Sequence, residues 1–121
     1  MKVCVTSVGR DLTSSVDPRF GRAAHFLLID IDTDEFHCLE DITATGQGAG
    51  VMVAQSVIDS GASAVVTGQI GPRAFDVLAA AGIEIFLAPS ATVGGAIQDL
   101  HAGRLEKLHR PTGPRHAGLR A

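Results

Sequence analysis

The chain has 121 residues, with 10 Lys and Arg against 13 Asp and Glu, a formal net charge of -3, and 45% hydrophobic residues without a Trp or Tyr. That length supports one core and not two comfortable ones, and the scarcity of aromatics calls for an aliphatic, alanine-rich interior of helices packed on a sheet. No run approaches the ~20 apolar residues of a membrane span, Met1-Lys2-Val3-Cys4-Val5 reads as a strand and not a signal peptide, and Cys4 and Cys38 form neither a C-x-x-C pair nor a disulfide framework, so a cytoplasmic chain with two free thiols is expected.

Lys2 to Val8 is nearly continuous in apolar and β-branched residues, as in the centre of a sheet covered on both faces. A long polar loop, residues 9 to 22, follows and carries Arg10, Arg19 and Arg22. Ala23 to Asp32 reads as a second strand, and Thr33-Asp34 as a tight turn into a third, Glu35 to Ile42, which makes the two an antiparallel hairpin. After Gly46-Gln47-Gly48-Ala49-Gly50, the residues Val51, Ala54, Val57 and Ile58 recur at helical spacing up to a stop at Gly61. Ala64 to Thr67 is a short buried strand broken by Gly68 and Gly71. Pro72 then suits a first helical position, because its missing N–H would have no partner there, and the helix runs to about Ala81 before Gly82. Ile83 to Leu87 is a fifth strand, and Val93 to Ala102 a last helix capped by Ser90 or Thr92.

The order is βββαβαβα. Helical crossovers require parallel strands, so the first, third, fourth and fifth strands point the same way, and the loops 9 to 22, 43 to 50, 68 to 72 and 88 to 92 open at one end of the sheet. Of the five basic residues ahead of residue 101, four lie in or beside those loops: Arg10, Arg19, Arg22 and Arg73. An acidic chain that gathers guanidinium groups and helix N-termini at one edge is expected to bind a small anion there. The plain alternative is local pairing of Arg19 or Arg22 with Asp11 or Asp17. The remaining basic residues, from Arg104 to Arg120, fall in a stretch interrupted by Pro111, Gly113, Pro114 and Gly118, which reads as a disordered tail (107 to 121) beyond a domain of residues 1 to 106 and is a poor nucleic-acid signature.

The combination Asp17-Pro18-Arg19-Phe20-Gly21-Arg22-Ala23, Phe26 and Asp30, Gly48-Ala49-Gly50, Thr67-Gly68-Gln69-Ile70-Gly71-Pro72 and Ala81-Gly82-Ile83 resembles the dinitrogenase iron-molybdenum cofactor biosynthesis family, whose members include NifX, the cofactor-binding domain of NafY and the C-terminal domain of NifB. The resemblance spans residues 1 to 106. It implies an α/β, ribonuclease H-like three-layer fold with a mixed five-stranded sheet, and a non-catalytic role in carrying an anionic iron-sulfur or molybdenum-containing cluster, with a cluster-assembly or recipient protein as partner. The candidate cluster-binding residues are Arg10, Arg19, Arg22, Gln47, Gly48, Gly50, Gly68, Gln69, Gly71 and Arg73. Relatives often carry histidines where Gln47 and Arg19 stand here, which leaves a mainly electrostatic hold, a ligand at His25 or His37, or a different cargo; His25, near the start of the second strand, is the candidate metal ligand.

Other functions compete with that one. A two-metal nuclease on this fold needs an acid on the first strand, and Lys2 to Val8 has none. A phosphometabolite or nucleotide site remains open, because glycine turns at helix starts hold phosphates equally well, although no Gly-Lys-Ser/Thr follows Gly46 to Gly50. A regulatory or scaffold domain that binds another protein also remains open.

Overall fold

A computed structural model describes residues 1–39, 42, 49–88 and 91–111. Among these, β1 (Lys2–Ser7), β2 (His25–Asp30), β3 (Phe36–Cys38), β4 (Ala64–Thr67), β5 (Glu84–Leu87) and β6 (Glu106–Lys107) form one mixed sheet in the order β3-β2-β1-β4-β5-β6. Three helices, α1 (Ala49–Asp59), α2 (Pro72–Ala80) and α3 (Val93–His101), cover it. β1, β4 and β5 run parallel, while β2 is antiparallel to β1, β3 to β2, and β6 to β5.

Side chains alternate across the sheet and divide the core in two. On one face Cys4, Phe26, Leu28, Val65 and Ile85 pack under α1 and α2, which contribute Val53, Ala54, Val57, Phe75 and Leu78. On the other, Val3, Val5, Leu27, Ile29 and Val66 pack under Val93 and Ala96 of α3. Burying side chains of this size contributes about 2 kcal/mol each, which anchors both helical layers; the buried aromatic rings, Phe20, Phe26 and Phe75, all lie on the α1/α2 face. α2 stops where Gly82 takes a left-handed φ of 80°; the N–H groups of Gly82 and Ile83 then bond the carbonyls of Ala79 and Leu78 at 3.0 Å each, and Ile83 packs beside Leu78 in the core.

Two expectations are corrected. The sheet has six strands and not five, because Gly103 (φ 75°) reverses the chain after α3 and lays Glu106–Lys107 antiparallel on β5. The Lys107 ammonium lies 3.0 Å from the Glu84 carboxylate on the neighbouring strand, and Leu108 drops into the core at 7% exposure. The boundary expected after residue 106 therefore cuts through β6; residues 112–121 lie outside those described. The hairpin strands are also shorter than expected. Residues 31 to 35 are consumed by the turn, in which the Asp34 N–H bonds the Asp30 carbonyl at 2.8 Å and the Asp32 N–H bonds the Asp30 carboxylate at 2.9 Å, with Asp34 itself at φ 65°.

Candidate functional site

The parallel run of β1, β4 and β5 brings the ends of all three, and the start of antiparallel β2, to one edge of the sheet. The segments there touch directly. Arg19 bridges to Gln69 in parallel fashion, and the Phe20 N–H donates to the Gln69 carbonyl at 3.0 Å. Gly68 is a close-approach glycine: a Cβ there would stand 2.6 Å from Pro18 Cα and 2.9 Å from the Pro18 carbonyl oxygen. A Cβ on Gly21 would meet Gly50 Cα at 3.2 Å, and one on Gly50 would meet Ala74 Cβ at 3.4 Å. The loop before β2 and the first turns of α1 and α2 thus converge at van der Waals distance.

Asp17 holds that loop in place. It is 2% exposed, and its carboxylate accepts from the Arg19 N–H at 3.0 Å and the Ala24 N–H at 3.2 Å, so one buried side chain closes the turn from 17 to 24. Beneath it the Thr6 hydroxyl lies 2.7 Å from the Asp17 carbonyl and 2.9 Å from the Thr67 hydroxyl, tying the loop to the ends of β1 and β4. Among the described residues no buried side-chain nitrogen or oxygen lacks a hydrogen-bond partner. The loop is consequently a fixed platform, and what it presents outward is Arg19 and Arg22.

The arginines are available to different degrees. Arg19 reaches Asp17 with Nε at 3.5 Å, a long single contact that leaves its side chain 60% exposed. Arg22 and Arg73 are exposed and have no ion-pair partner among the described residues. Asp11 is engaged elsewhere: the Thr13 hydroxyl at 2.6 Å and N–H at 3.0 Å hold its carboxyl below the usual carboxylate range.

α2 and α3 both begin at this edge. Gly71 at the N-cap of α2 offers no side chain, Pro72 has no N–H, the Phe75 N–H returns to the Gly71 carbonyl at 3.0 Å, and among the described residues nothing accepts from the N–H groups of Arg73 and Ala74. α3 is closed by the chain itself. The Val93 N–H bonds the Ser14 carbonyl at 2.8 Å, the Gly94 N–H the Leu12 carbonyl at 2.9 Å, and the Gly95 N–H the Thr92 hydroxyl at 3.0 Å. Thr92 is the cap.

This division separates the expected site residues. Arg19, Arg22, Gly50, Gly68, Gln69, Gly71 and Arg73 belong to the edge where the 17–24 loop meets α1 and α2. Arg10 sits on the 9–16 segment, which packs against the start of α3. His25 shares a sheet face with Leu27 and Ile29, the α3 face, and not with the core under α1 and α2. Its Nδ1 lies 3.8 Å from Cys38 Sγ. Gln47 and Gly48 lie outside the described residues. Asp17 as loop organiser and Cys38 as the neighbour of His25 are what sequence reasoning missed. Asp-Pro followed two residues later by a free amide was a usable signal for the first, and the hairpin register for the second.

A shallow concavity of about 600 Å³ at the opposite end of the sheet is lined by Lys2, Leu28, Asp30, Asp34, Glu35, Phe36 and His37. Three carboxylates against one ammonium make it unsuited to an anion, so the arginine edge remains the candidate. No described helix is long and apolar enough to cross a membrane.

Comparison with known proteins matches residues 1–103 to a family model described as dinitrogenase iron-molybdenum cofactor. Among solved structures, the apo form of the orange protein from Desulfovibrio gigas superposes with a TM-score of 0.87 at 36% identity, covering 93% of this chain and 96% of that one. A NifB-like protein from Thermotoga gives a TM-score of 0.81 at 34% identity over 94% and 98% of the two chains. An uncharacterized protein of Methanocaldococcus jannaschii is 29% identical over 97 residues, 77% of this chain and 82% of its own length.

Proposed function

The chain belongs to the dinitrogenase iron-molybdenum cofactor family, and from that premise we propose that it is a non-catalytic, cytoplasmic carrier of an anionic metal–sulfur cluster, an iron-molybdenum cofactor precursor or a related iron–sulfur or molybdenum–sulfur species. The cargo docks where the 17–24 loop meets the start of α2. The observation that carries this reading is the uncapped first turn of α2, with the Arg73 and Ala74 amides lacking an acceptor among the described residues and the exposed arginines 19, 22 and 73 around them. Gln47, Gly48 and Gln69 complete the proposed contact set. The three-layer arrangement, with β6 added to the order β3-β2-β1-β4-β5, supports assignment to the ribonuclease H-like class.

Metal–sulfur clusters carry negative charge and expose sulfides that accept hydrogen bonds, so guanidinium and backbone N–H groups can hold one without a full set of covalent ligands. Such a hold is reversible. A carrier must surrender its cargo to a recipient protein, and a cluster fixed by four thiolates would stay.

The test is anaerobic titration of the purified chain with tetrathiomolybdate and with a soluble iron–sulfur cluster, followed by visible absorption, in low and high salt. Saturable binding that weakens as salt rises supports the carrier. Phosphate binding the same edge more tightly than either sulfide species would favour a phosphometabolite site, since uncapped helix amides serve phosphate equally well. No binding of any anion leaves a protein-interaction domain.

A further inference from the structure

The arginine edge leaves one chemically distinctive pair unused. His25 opens β2 and Cys38 closes β3, and the register sets Cys38 opposite Leu27, so His25 lies on the same sheet face, displaced by one alternation toward the start of β2. Cys38 packs at the margin of the core under α3, on the sheet face turned away from α1 and α2. Both residues are half-buried and reachable from solvent.

We propose that Cys38 Sγ and His25 Nδ1 form a two-point sulfur–nitrogen site for a thiophilic metal ion of the zinc class, distinct from the arginine edge. The spacing fits such an ion without rearrangement. A metal at ~2.3 Å from a thiolate and ~2.0 Å from an imidazole nitrogen bridges the observed 3.8 Å with a S–metal–N angle of about 124°, close to trigonal and wider than tetrahedral. Thiolate and imidazole are also the donors that zinc-like ions select over hard oxygen-seeking cations. On binding, the Cys38 thiol proton passes to solvent and the Nδ1 lone pair of neutral His25 turns to the metal.

No third His, Cys, Asp or Glu joins the pair among the described residues, so within them the pair supplies two coordination positions, and small ligands such as water, sulfide or a free thiol can fill others. An ion held at two points exchanges its other ligands readily. Cys4 supplies an internal control, because it is fully buried, with its thiol pushed up to about 12 by burial.

The experiment is a titration of the reduced, metal-free full chain with Cd²⁺ in the absence of oxygen, read by the ultraviolet thiolate-to-cadmium charge-transfer band. The band should saturate at one equivalent in the native chain and in Cys4→Ser, disappear in Cys38→Ser, and need at least tenfold more Cd²⁺ in His25→Gln. A circular dichroism spectrum matching the native chain shows that each variant folds. Imidazole ¹⁵N shifts should place the perturbation on Nδ1 of His25. A band that survives Cys38→Ser, no band in the native chain, or His25→Gln binding like the native chain overturns the proposal. An Arg22→Ala/Arg73→Ala variant should keep the Cd²⁺ response, so failure of the carrier reading and failure of this site register separately.

Discussion

Two helices begin at the same end of the sheet, and their first turns are completed in opposite ways. α3 enters behind Thr92, and the Thr92 hydroxyl together with the carbonyls of Leu12 and Ser14 takes up its leading N–H groups. α2 enters behind Gly71 with no cap, and its Arg73 and Ala74 amides find no acceptor among the described residues. Each orphan donor at a helix start forgoes a net gain of about 1 kcal/mol. Among the described residues one helix is capped fully and its neighbour is left open, with an exposed arginine at the second helical position, an arrangement that suits the proposed anion. The difference teaches that the end of the sheet is not uniform: among the described residues the α3 side is sealed by the chain and the α2 side is left open.

That contrast can be broken most severely at Gly68. Gly68→Val would drive a side chain into the Pro18 backbone, so the 17–24 loop must lift from β4; chemical denaturation should register a loss of roughly 3 kcal/mol, in the range of overpacking penalties, along with loss of cluster binding. Next, Arg22→Ala/Arg73→Ala removes two charge-assisted donors from the open side. Affinity for tetrathiomolybdate should fall about 100-fold, with a flatter salt dependence and unchanged melting temperature, since neither side chain is part of an ion pair among the described residues. Unchanged affinity in this variant places the anion elsewhere.

On the sealed side, Thr92→Ala should cost about 1 kcal/mol of stability by thermal denaturation and leave cluster affinity alone. A smaller change in stability, in the opposite direction, is the most discriminating. Gly71 has N-cap geometry (φ -76°, ψ 169°) and open space where a Cβ would go, so Gly71→Ser can give α2 a cap of its own. Stability should rise by a few tenths of a kcal/mol while cluster binding weakens. Both changing in the same direction would deny that the open amides serve a ligand.

Much of this was legible in the residues. Pro72 after Gly71 and Thr92 before Val93 mark both helix starts, and Ala64–Thr67 marks β4 to the residue, because those signals are local. The parallel strands and the loops they send to one end followed from connection lengths alone. What escaped depends on relations between distant residues. That α3 is closed by carbonyls of Leu12 and Ser14 is a matter of how a loop eighty residues upstream packs, and no cap residue in the sequence announces it. The sheet face of His25 turns on strand parity, and starting β2 at Ala23 or at His25 leaves only the register with Cys38 to fix which neighbours it meets. β6 is two residues long within a run of basic and turn-forming residues, too short for any periodicity.

β6 also has a consequence for solubility. By occupying the outer backbone groups of β5 it removes one exposed rail along which another chain could zip, and the opposite rail, β3, is only three residues long. A truncation ending at residue 103, where the family match stops, would uncover that rail together with the pocket that receives Leu108, and the shortened chain should self-associate under conditions in which the intact one stays dispersed.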